Sequence, residues 1–200
     1  MIYNDNFIWV HLGKTGGDST RKLFNIINKG DLKIIPEEDP NKHTSVYEIL
    51  ELTKARTVLL NVRPLDEWAL SHVNHQKRYY GVDSDDVIKK GKIRFKTGVV
   101  MTPDEQLKKF YIDEFEGEKV DYLFIKTNDL VNTFIDNVSK VYNLTDEDNK
   151  NVKSLSINKN GEVGKKVKEV WTKDIIDTFY SVNPLWVKLV NKVYGPIKNK

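Results

Sequence analysis

The fold is decided by the stretch Phe7-Ile8-Trp9-Val10-His11-Leu12-Gly13-Lys14-Thr15-Gly16-Gly17-Asp18-Ser19-Thr20-Arg21-Lys22-Leu23-Phe24. Its residues 7–12 form an apolar run of strand length, and a glycine-rich turn and an amphipathic helical pattern follow at once. This order builds an anion site, because glycines allow close approach of the backbone and the first helical N–H groups point at the ligand. Lys14 adds a cation, and Ser19 and Thr20 add hydroxyl donors. The stretch therefore predicts a site for a phosphate-like group.

The composition of the chain predicts one soluble domain. Two hundred residues can bury a substantial core, and a formal net charge of +3 favours an anionic small ligand over nucleic acid. There is no cysteine, which excludes disulfides and thiolate metal clusters and favours a reducing compartment. The first residues show no basic segment followed by a long apolar one, and no later run approaches membrane-spanning length, so no targeting or spanning segment is expected. We therefore expect a soluble, cytoplasmic protein with no membrane or nucleic-acid partner, whose oligomeric state stays open.

Apolar strands alternate with helical patterns along the chain. Further strands are predicted at 33–35, 57–62 and 122–126, and helices at about 17–28, 45–55, 65–78, 102–115, 130–142, 172–180 and 184–194. Capping boxes open two of these helices, at Ser45 and at Thr102. The alternation predicts a single domain over 1–200, an α/β fold with three layers (α/β/α) around a central, mainly parallel sheet.

Lys14 and Arg63 both follow predicted strands, so both should lie where parallel sheets bind ligands, beyond the carboxyl ends of the strands. The Gly13-Lys14-Thr15 sequence is not a nucleoside-triphosphate P-loop. That motif needs a glycine five positions before the Gly-Lys pair, where this chain has Ile8, and here the glycines follow the lysine. A standard Walker A loop is therefore excluded.

The pattern His11-x-x-Lys14-Thr15-Gly16-Gly17-x-Ser19 resembles the 5′-phosphosulfate loop of sulfotransferases that use 3′-phosphoadenosine 5′-phosphosulfate (PAPS). The branch it resembles most has a loop that reads roughly His-x-Pro-Lys-Thr-Gly-Gly-Thr-Ser. The family binds the 3′-phosphate with an arginine at a strand end and a serine eight positions on, and Arg63 and Ser71 have this spacing and context. Residues 126–130 and 155–159 are similar to the family in a less specific way.

The resemblance implies a P-loop-NTPase-like sulfotransferase fold and a defined reaction. A sulfuryl group would pass from PAPS to a hydroxyl or amine of a small-molecule or carbohydrate acceptor, and 3′,5′-adenosine bisphosphate (PAP) would be released. Lys14 would neutralise the leaving oxygen. The resemblance does not extend over residues 79–120, which are predicted to be an irregular insert, least regular at 79–101. Its basic residues at 89–96 are typical of a solvated face, and the alternatives are an acceptor-binding flap and single-strand nucleic-acid binding. The implied donor site comprises Lys14, Thr15, Gly16, Gly17, Asp18, Ser19, Thr20, Arg63 and Ser71.

Three positions depart from the family pattern. Gly13 replaces the usual proline, Pro64 stands one place early after the arginine, and Asp18 replaces a threonine that touches the 5′-phosphate. A carboxylate beside a phosphate is repulsive. Since Arg21 and Lys22 lie three and four residues further on, we expect one of them to turn Asp18 aside as an ion pair.

A base must take the proton of the acceptor, and histidine is suited to this task. His43 precedes the capped helix, where some family members place a catalytic histidine, and it is the first candidate. His75, one turn after Ser71, is the second. His72 and His75 suggest a metal pair, but no third ligand has a convincing spacing, so no metal is predicted. We expect His11 to be a core histidine that makes a hydrogen bond.

Two other functions are weighed against the transferase. A P-loop-like nucleotide or small-molecule kinase is disfavoured by the missing glycine and by the lack of a strand-end aspartate for magnesium. A non-catalytic nucleotide-binding module would result if Asp18 spoils the donor site. The structural alternatives are an exposed loop lysine for Lys14, an ion pair with a helix acid for Arg63, and a solvated loop position for His43.

Overall fold

The structure is a computed structural model and describes residues 1–36, 38–39, 43–155 and 171–196. Among these residues two compact units are present, one drawn from Met1–Val62 and Lys109–Ile157 and one from Arg63–Lys108 and Asn158–Lys200. That residues 1–200 form a single domain stays a prediction. Of the stretch 155–159, for which the sequence indicates a weak resemblance, residues 156–159 lie outside the described residues. None of the described helices is long and apolar enough to cross a membrane.

Strands and helices alternate along the described residues. The strands are β1 (Ile2–Tyr3), β2 (Ile8–Val10), β3 (Lys33–Ile34), β4 (Thr57–Val62), β5 (Ile93–Arg94), β6 (Val100–Met101), β7 (Glu114–Phe115), β8 (Glu118–Lys119) and β9 (Asp121–Lys126). The helices are α1 (Gly17–Ile27), α2 (Val46–Leu50), α3 (Leu65–Tyr80), α4 (Asp85–Ile88), α5 (Pro103–Leu107), α6 (Leu130–Val138), α7 (Asp146–Ser154), α8 (Lys173–Val182) and α9 (Pro184–Tyr194). A 3-10 turn, Thr127–Asp129, joins β9 to α6.

The first unit is built on a five-stranded sheet with the order β3-β1-β2-β4-β9. The neighbours β2, β4 and β9 are parallel, whereas β1 is antiparallel to both β2 and β3. The prediction of an α/β fold is confirmed, and the sheet is mixed because the N-terminal β1 forms a hairpin with β2. The three parallel strands end at one edge of the sheet, where the chain continues from β2 into residues 11–16.

Aromatic packing fixes α1 on this sheet. The Phe24 ring lies 5.6 Å from Trp9 of β2 and 4.9 Å from Phe134 of α6, measured between ring centroids. All three side chains are fully buried. Burial of large aromatic side chains is among the strongest stabilising contributions in a core, so the start of α1 is held firmly at the end of β2.

Tyr142, in the core of the first unit, is expected to make the free energy of unfolding fall at alkaline pH. Its hydroxyl donates to Oδ1 of Asp31 at 2.6 Å, and burial together with this hydrogen bond raises the pKa of the phenol to about 12. An unfolded tyrosine has a pKa of about 10, so the folded-state pKa is the higher one. The contribution to stability is then fully present below about pH 10 and is lost as pH rises through about 12. The wild-type protein should have a higher free energy of unfolding in urea than Tyr142→Phe, and this difference should shrink above about pH 10. A difference that stays constant with pH would contradict this account.

The second unit contains α3, α4, α5, α8, α9 and the β5–β6 hairpin. Its largest aromatic pair is Trp68 and Trp186, with ring centroids 4.4 Å apart. The Asp104 carboxylate accepts hydrogen bonds at 2.8 Å from the N–H groups of Leu185 and Trp186. The Asn183 side chain in turn accepts from the Asp104 N–H. At the start of α5 and of α9, backbone N–H groups therefore donate to a side chain from the start of the other helix.

Several predicted elements have different ends in the structure. Both capping boxes, at Ser45 and Thr102, are confirmed. The helix predicted over 102–115 ends at Leu107. Its last two predicted residues form β7 instead, which pairs with β8 in a hairpin with Glu116 and Gly117 at positive φ in the turn. The helices predicted to reach 55 and 142 end at 50 and 138. Residues 79–120 contain short helices and hairpins, and β1 and α7 were not predicted.

Candidate functional site

The predicted anion site is the loop between β2 and α1, residues 11–16, which we call the β2–α1 loop. Lys14 and Gly16 both have left-handed backbone conformations, with φ of 67° and 86°. For a non-glycine residue such as Lys14 this conformation is rare, and such residues cluster at functional sites. Gly16 is the N-cap of α1 and offers no side-chain cap. The N–H groups of the first turn therefore have no capping side chain, and a bound anion could accept their hydrogen bonds.

Two side chains, one from β4 and one from the turn that follows β9, hold the loop by hydrogen bonds to the Thr15 carbonyl. Asn61 of β4 is only 1% exposed, and its Nδ2 donates to the Thr15 carbonyl oxygen at 3.1 Å and to Thr20 Oγ1 at 2.7 Å. Its Oδ1 accepts from Nε1 of Trp9 at 2.7 Å. The Thr127 hydroxyl, just after β9, lies 2.9 Å from the same Thr15 carbonyl oxygen. The loop is thus joined to β4 and to the end of β9 through side chains.

The hydroxyls of Thr15 and Thr20 face the protein interior. Thr15 Oγ1 donates to the Leu12 carbonyl at 2.6 Å, and Thr20 Oγ1 donates to the Gly16 carbonyl at 3.1 Å. Both residues are fully buried. In this conformation the Thr20 hydroxyl does not face outward, and its contact with a bound anion stays a prediction. Thr20 lies one helical turn after Gly16, so its hydroxyl holds the loop instead, whereas Ser19 is half-buried at the helix start.

Gly17 leaves room for the ring of His11. A Cβ added at Gly17 would lie 1.9 Å from Nε2 of His11. The His11 ring is stacked on Trp9, with centroids 5.4 Å apart, and lies 4.6 Å from the ring of His43. His11 is buried, as expected. The glycine is therefore required here for space, because a buried ring occupies the position of its missing side chain.

His43, the first candidate base, lies beside the loop. Its Nδ1 is 2.9 Å from the His11 carbonyl oxygen. Because a carbonyl can only accept, Nδ1 carries a proton and donates it, which leaves Nε2 of the neutral ring as a proton acceptor. Its Cε1 would be 4.0 Å from a Cβ at Gly13, the residue before Lys14. An exposed histidine in this tautomer can take a proton from a molecule bound at the loop.

The Asp18 side chain points into solvent and is 75% exposed, with Oδ1 4.0 Å from Nε2 of His11. Among the described residues, no ion pair joins Asp18 to Arg21 or Lys22, so that expectation is wrong. Arg21 is buried, and its Nη1 donates to the Ile35 carbonyl instead. Water around Asp18 weakens its repulsion of a phosphate, and an acid in the first helical turn interacts favourably with the helix dipole.

Arg63, Ser71 and His75 belong to the second unit. Arg63 follows β4 directly, and its Nε lies 3.4 Å from Oε2 of Glu67, the helix acid of the alternative interpretation. Its carbonyl accepts from Nε1 of Trp186 at 3.1 Å. A half-exposed ion pair of this kind contributes at most about 1 kcal/mol, so it does not prevent the guanidinium from binding a phosphate. Ser71 is half-buried on α3.

The histidines of α3 are held by aromatic rings. His75, the second candidate base, lies 4.7 Å from the ring of Tyr79 and 5.6 Å from that of Tyr80. His72 is buried, with its ring 4.6 Å from Phe95. In the part of the chain that the structure describes, no group of three His, Asp or Glu side chains could hold a metal ion.

The chain matches no protein-family model, no curated protein and no solved structure. Function is therefore inferred from the residues themselves and from their geometry. The loop motif around Lys14 and its neighbour His43 are the features with chemical content, and they lie together in the first unit.

Proposed function

We propose that the chain is a PAPS-dependent sulfotransferase with a three-layer, P-loop-like fold. The observation that carries the proposal is the β2–α1 loop, in which Lys14 and Gly16 adopt left-handed conformations directly before a helix start without a side-chain cap. Alternating backbone conformations of this kind form a concave set of N–H groups that suits a phosphate or sulfate group. The sequence of the loop supports PAPS as the ligand through its resemblance to the phosphosulfate loop of the family.

PAPS supplies an activated sulfuryl group, whose sulfur bonds to the acceptor oxygen or nitrogen while its bond to the 5′-phosphate oxygen breaks and PAP leaves with the bond electrons. The residues of this chain have three tasks in that reaction. The loop N–H groups orient the phosphosulfate. The Lys14 ammonium stabilises the negative charge that develops on the leaving oxygen. His43 takes the acceptor proton at Nε2, the ring nitrogen opposite the one that donates to the His11 carbonyl.

Arg63 and Ser71 are proposed to bind the 3′-phosphate of the donor. Their spacing of eight residues, at and after the end of β4, supports this assignment. A guanidinium binds phosphate in a bidentate geometry, and a serine hydroxyl adds a further donor. The acceptor is proposed to be a small molecule or a carbohydrate that presents a hydroxyl or amine.

The first test compares thermal stabilisation by PAP, AMP and ATP, each with and without magnesium. PAP is expected to raise the Tm selectively, because only PAP carries both phosphates of the donor. Lys14→Ala should weaken PAP binding by about 10- to 100-fold, the effect of losing one charge-assisted contact. Arg63→Ala should weaken it similarly. Isothermal titration calorimetry measures both affinities.

The matched control is Lys22→Ala, an exposed lysine of α1 outside the loop, which should leave PAP affinity unchanged. A preference for magnesium-ATP would contradict the proposal and favour the kinase. PAP binding without any turnover of PAPS would favour a non-catalytic nucleotide-binding module. Equal loss of affinity in the Lys14 and Lys22 variants would mean that net charge, rather than the loop, binds the ligand.

A further inference from the structure

We infer that Asn61 is a positioning residue that turns the N–H groups of the β2–α1 loop toward a bound anion. The inference rests on the proposed function in its choice of PAP as ligand, but its physical basis is independent of the nucleotide. Asn61 is almost fully buried, and each polar atom of its amide has a partner. A buried amide that is fully satisfied in this way is expensive to rearrange, so it holds its partners in one geometry.

The direction of the Asn61 amide is set by its partners. The Trp9 indole N–H can only donate, so it must face Oδ1. The Thr15 carbonyl can only accept, so it must face Nδ2. Thr20 Oγ1 accepts a hydrogen bond from Nδ2 and donates one to the Gly16 carbonyl. The hydrogen bonds therefore run in one direction, from the Trp9 ring through Asn61 to two successive carbonyls of the loop.

Holding a carbonyl inward turns the following N–H outward. In a trans peptide, the C=O of one residue and the N–H of the next point in opposite directions, and the described residues contain no cis peptide. The Thr15 carbonyl is held by Asn61 and Thr127, so the N–H of Gly16 points away from them. The Gly16 carbonyl is held by the N–H and hydroxyl of Thr20, so the N–H of Gly17 points out of the helix start.

Gly16 lies close to Leu130 and to Asn61, and a side chain at this position would meet Leu130 first. A Cβ at this position would lie 3.0 Å from Cδ1 of Leu130 and 3.8 Å from Nδ2 of Asn61. The loop is thus pressed against β4 and the start of α6, with a left-handed glycine at the closest approach. Substitution of Asn61 removes the central contact of this arrangement and should release the Gly16 and Gly17 peptides to rotate.

The test uses ¹⁵N-glycine-labelled full-length protein and follows the amide signals of Gly16 and Gly17 by NMR. Pyrophosphate and PAP are titrated separately into wild type, Asn61→Leu and Asn61→Asp. In wild type both amide signals should shift on binding. Both variants should bind at least tenfold more weakly and lose these shifts, because neither can donate to the Thr15 carbonyl. Asn61→Asp keeps the acceptor for Trp9 and so serves if the leucine variant does not fold.

The matched control is Asn137→Leu. The Asn137 amide also holds two carbonyls of the first unit, those of Phe124 and Thr133, and its Oδ1 accepts from Lys140 of the same segment rather than from the loop. Its loss should lower the Tm without changing the Gly16 and Gly17 shifts. Retained shifts and affinity in the folded Asn61 variants would overturn the inference. A wild-type response to pyrophosphate but not to PAP would refute the proposed donor and leave the positioning role supported.

Discussion

Replacing His43 by alanine is expected to slow the turnover of PAPS to PAP by about 10²- to 10⁴-fold, the usual contribution of a general base. The reason is geometric: Nδ1 is engaged with the His11 carbonyl, so Nε2 is the basic atom of an exposed ring beside Gly13. PAP affinity should stay within about twofold of wild type, since the base acts on the acceptor and not on the nucleotide. PAP release is measured with a panel of hydroxyl and amine acceptors and with water alone.

His75→Ala is the matched control for this experiment. His75 contacts Tyr79 and Tyr80 in the second unit and is the second candidate for the base. Turnover in His75→Ala should equal that of wild type. Unchanged turnover in His43→Ala, with a large loss in His75→Ala, would transfer the role to His75. Loss of PAP affinity together with turnover in His43→Ala would mean that His43 shapes the loop and is not a base.

The parts of the fold that could be predicted from the sequence are those with strong local signals. The predicted strands at 57–62 and 122–126 are short runs of mostly apolar residues, and the capping boxes at Ser45 and Thr102 are local motifs with their own hydrogen bonds. The short strand β1, which pairs with β2 and β3, has only two residues, and two residues are too few to show a periodic pattern in the sequence. The helix α7 was missed because it buries only Val152 and is otherwise charged or polar.

The part of the candidate site that could be predicted is also the part with a local sequence signal. Glycine, lysine and histidine are visible in the sequence as a motif, and Lys14, Gly16 and His43 do lie at or beside the same loop. Asn61 was missed because one amide in an apolar strand does not reveal its partners, which lie 41 to 52 residues away in sequence. The polar residue inside the run 57–62 was the available signal, since a buried amide requires partners. Arg21 was assigned to Asp18 from helix spacing alone, but it lies buried and bonds Ile35 instead.

Gly17→Ala is expected to destabilise the protein by about 2 kcal/mol and to abolish PAP binding at concentrations that saturate wild type. The added Cβ would lie 1.9 Å from Nε2 and 2.0 Å from Cδ2 of His11. That ring is confined between Trp9 and His43 and cannot move aside easily. Overpacking of this kind costs about 3 kcal/mol, whereas alanine gains about 1 kcal/mol over glycine in helix propensity. The cost of the clash therefore exceeds the gain in helix propensity. Urea unfolding of wild type and variant measures the resulting change in the free energy of unfolding.

Two further variants separate the clash from other effects of the substitution. Gly13→Ala adds the same atom in the β2–α1 loop just before this helix start, but its Cβ meets only Cε1 of His43, at an ordinary 4.0 Å, so stability should change by less than about 1 kcal/mol. The double variant Gly17→Ala with His11→Ala removes the ring that obstructs the methyl group. Since the two residues are in contact, their effects should not add, and the double variant should be more stable than the sum of the single changes predicts. Additive effects would mean that the His11 ring is not what requires glycine at position 17, and the stack of Trp9, His11 and His43 would then have no part in shaping the helix start.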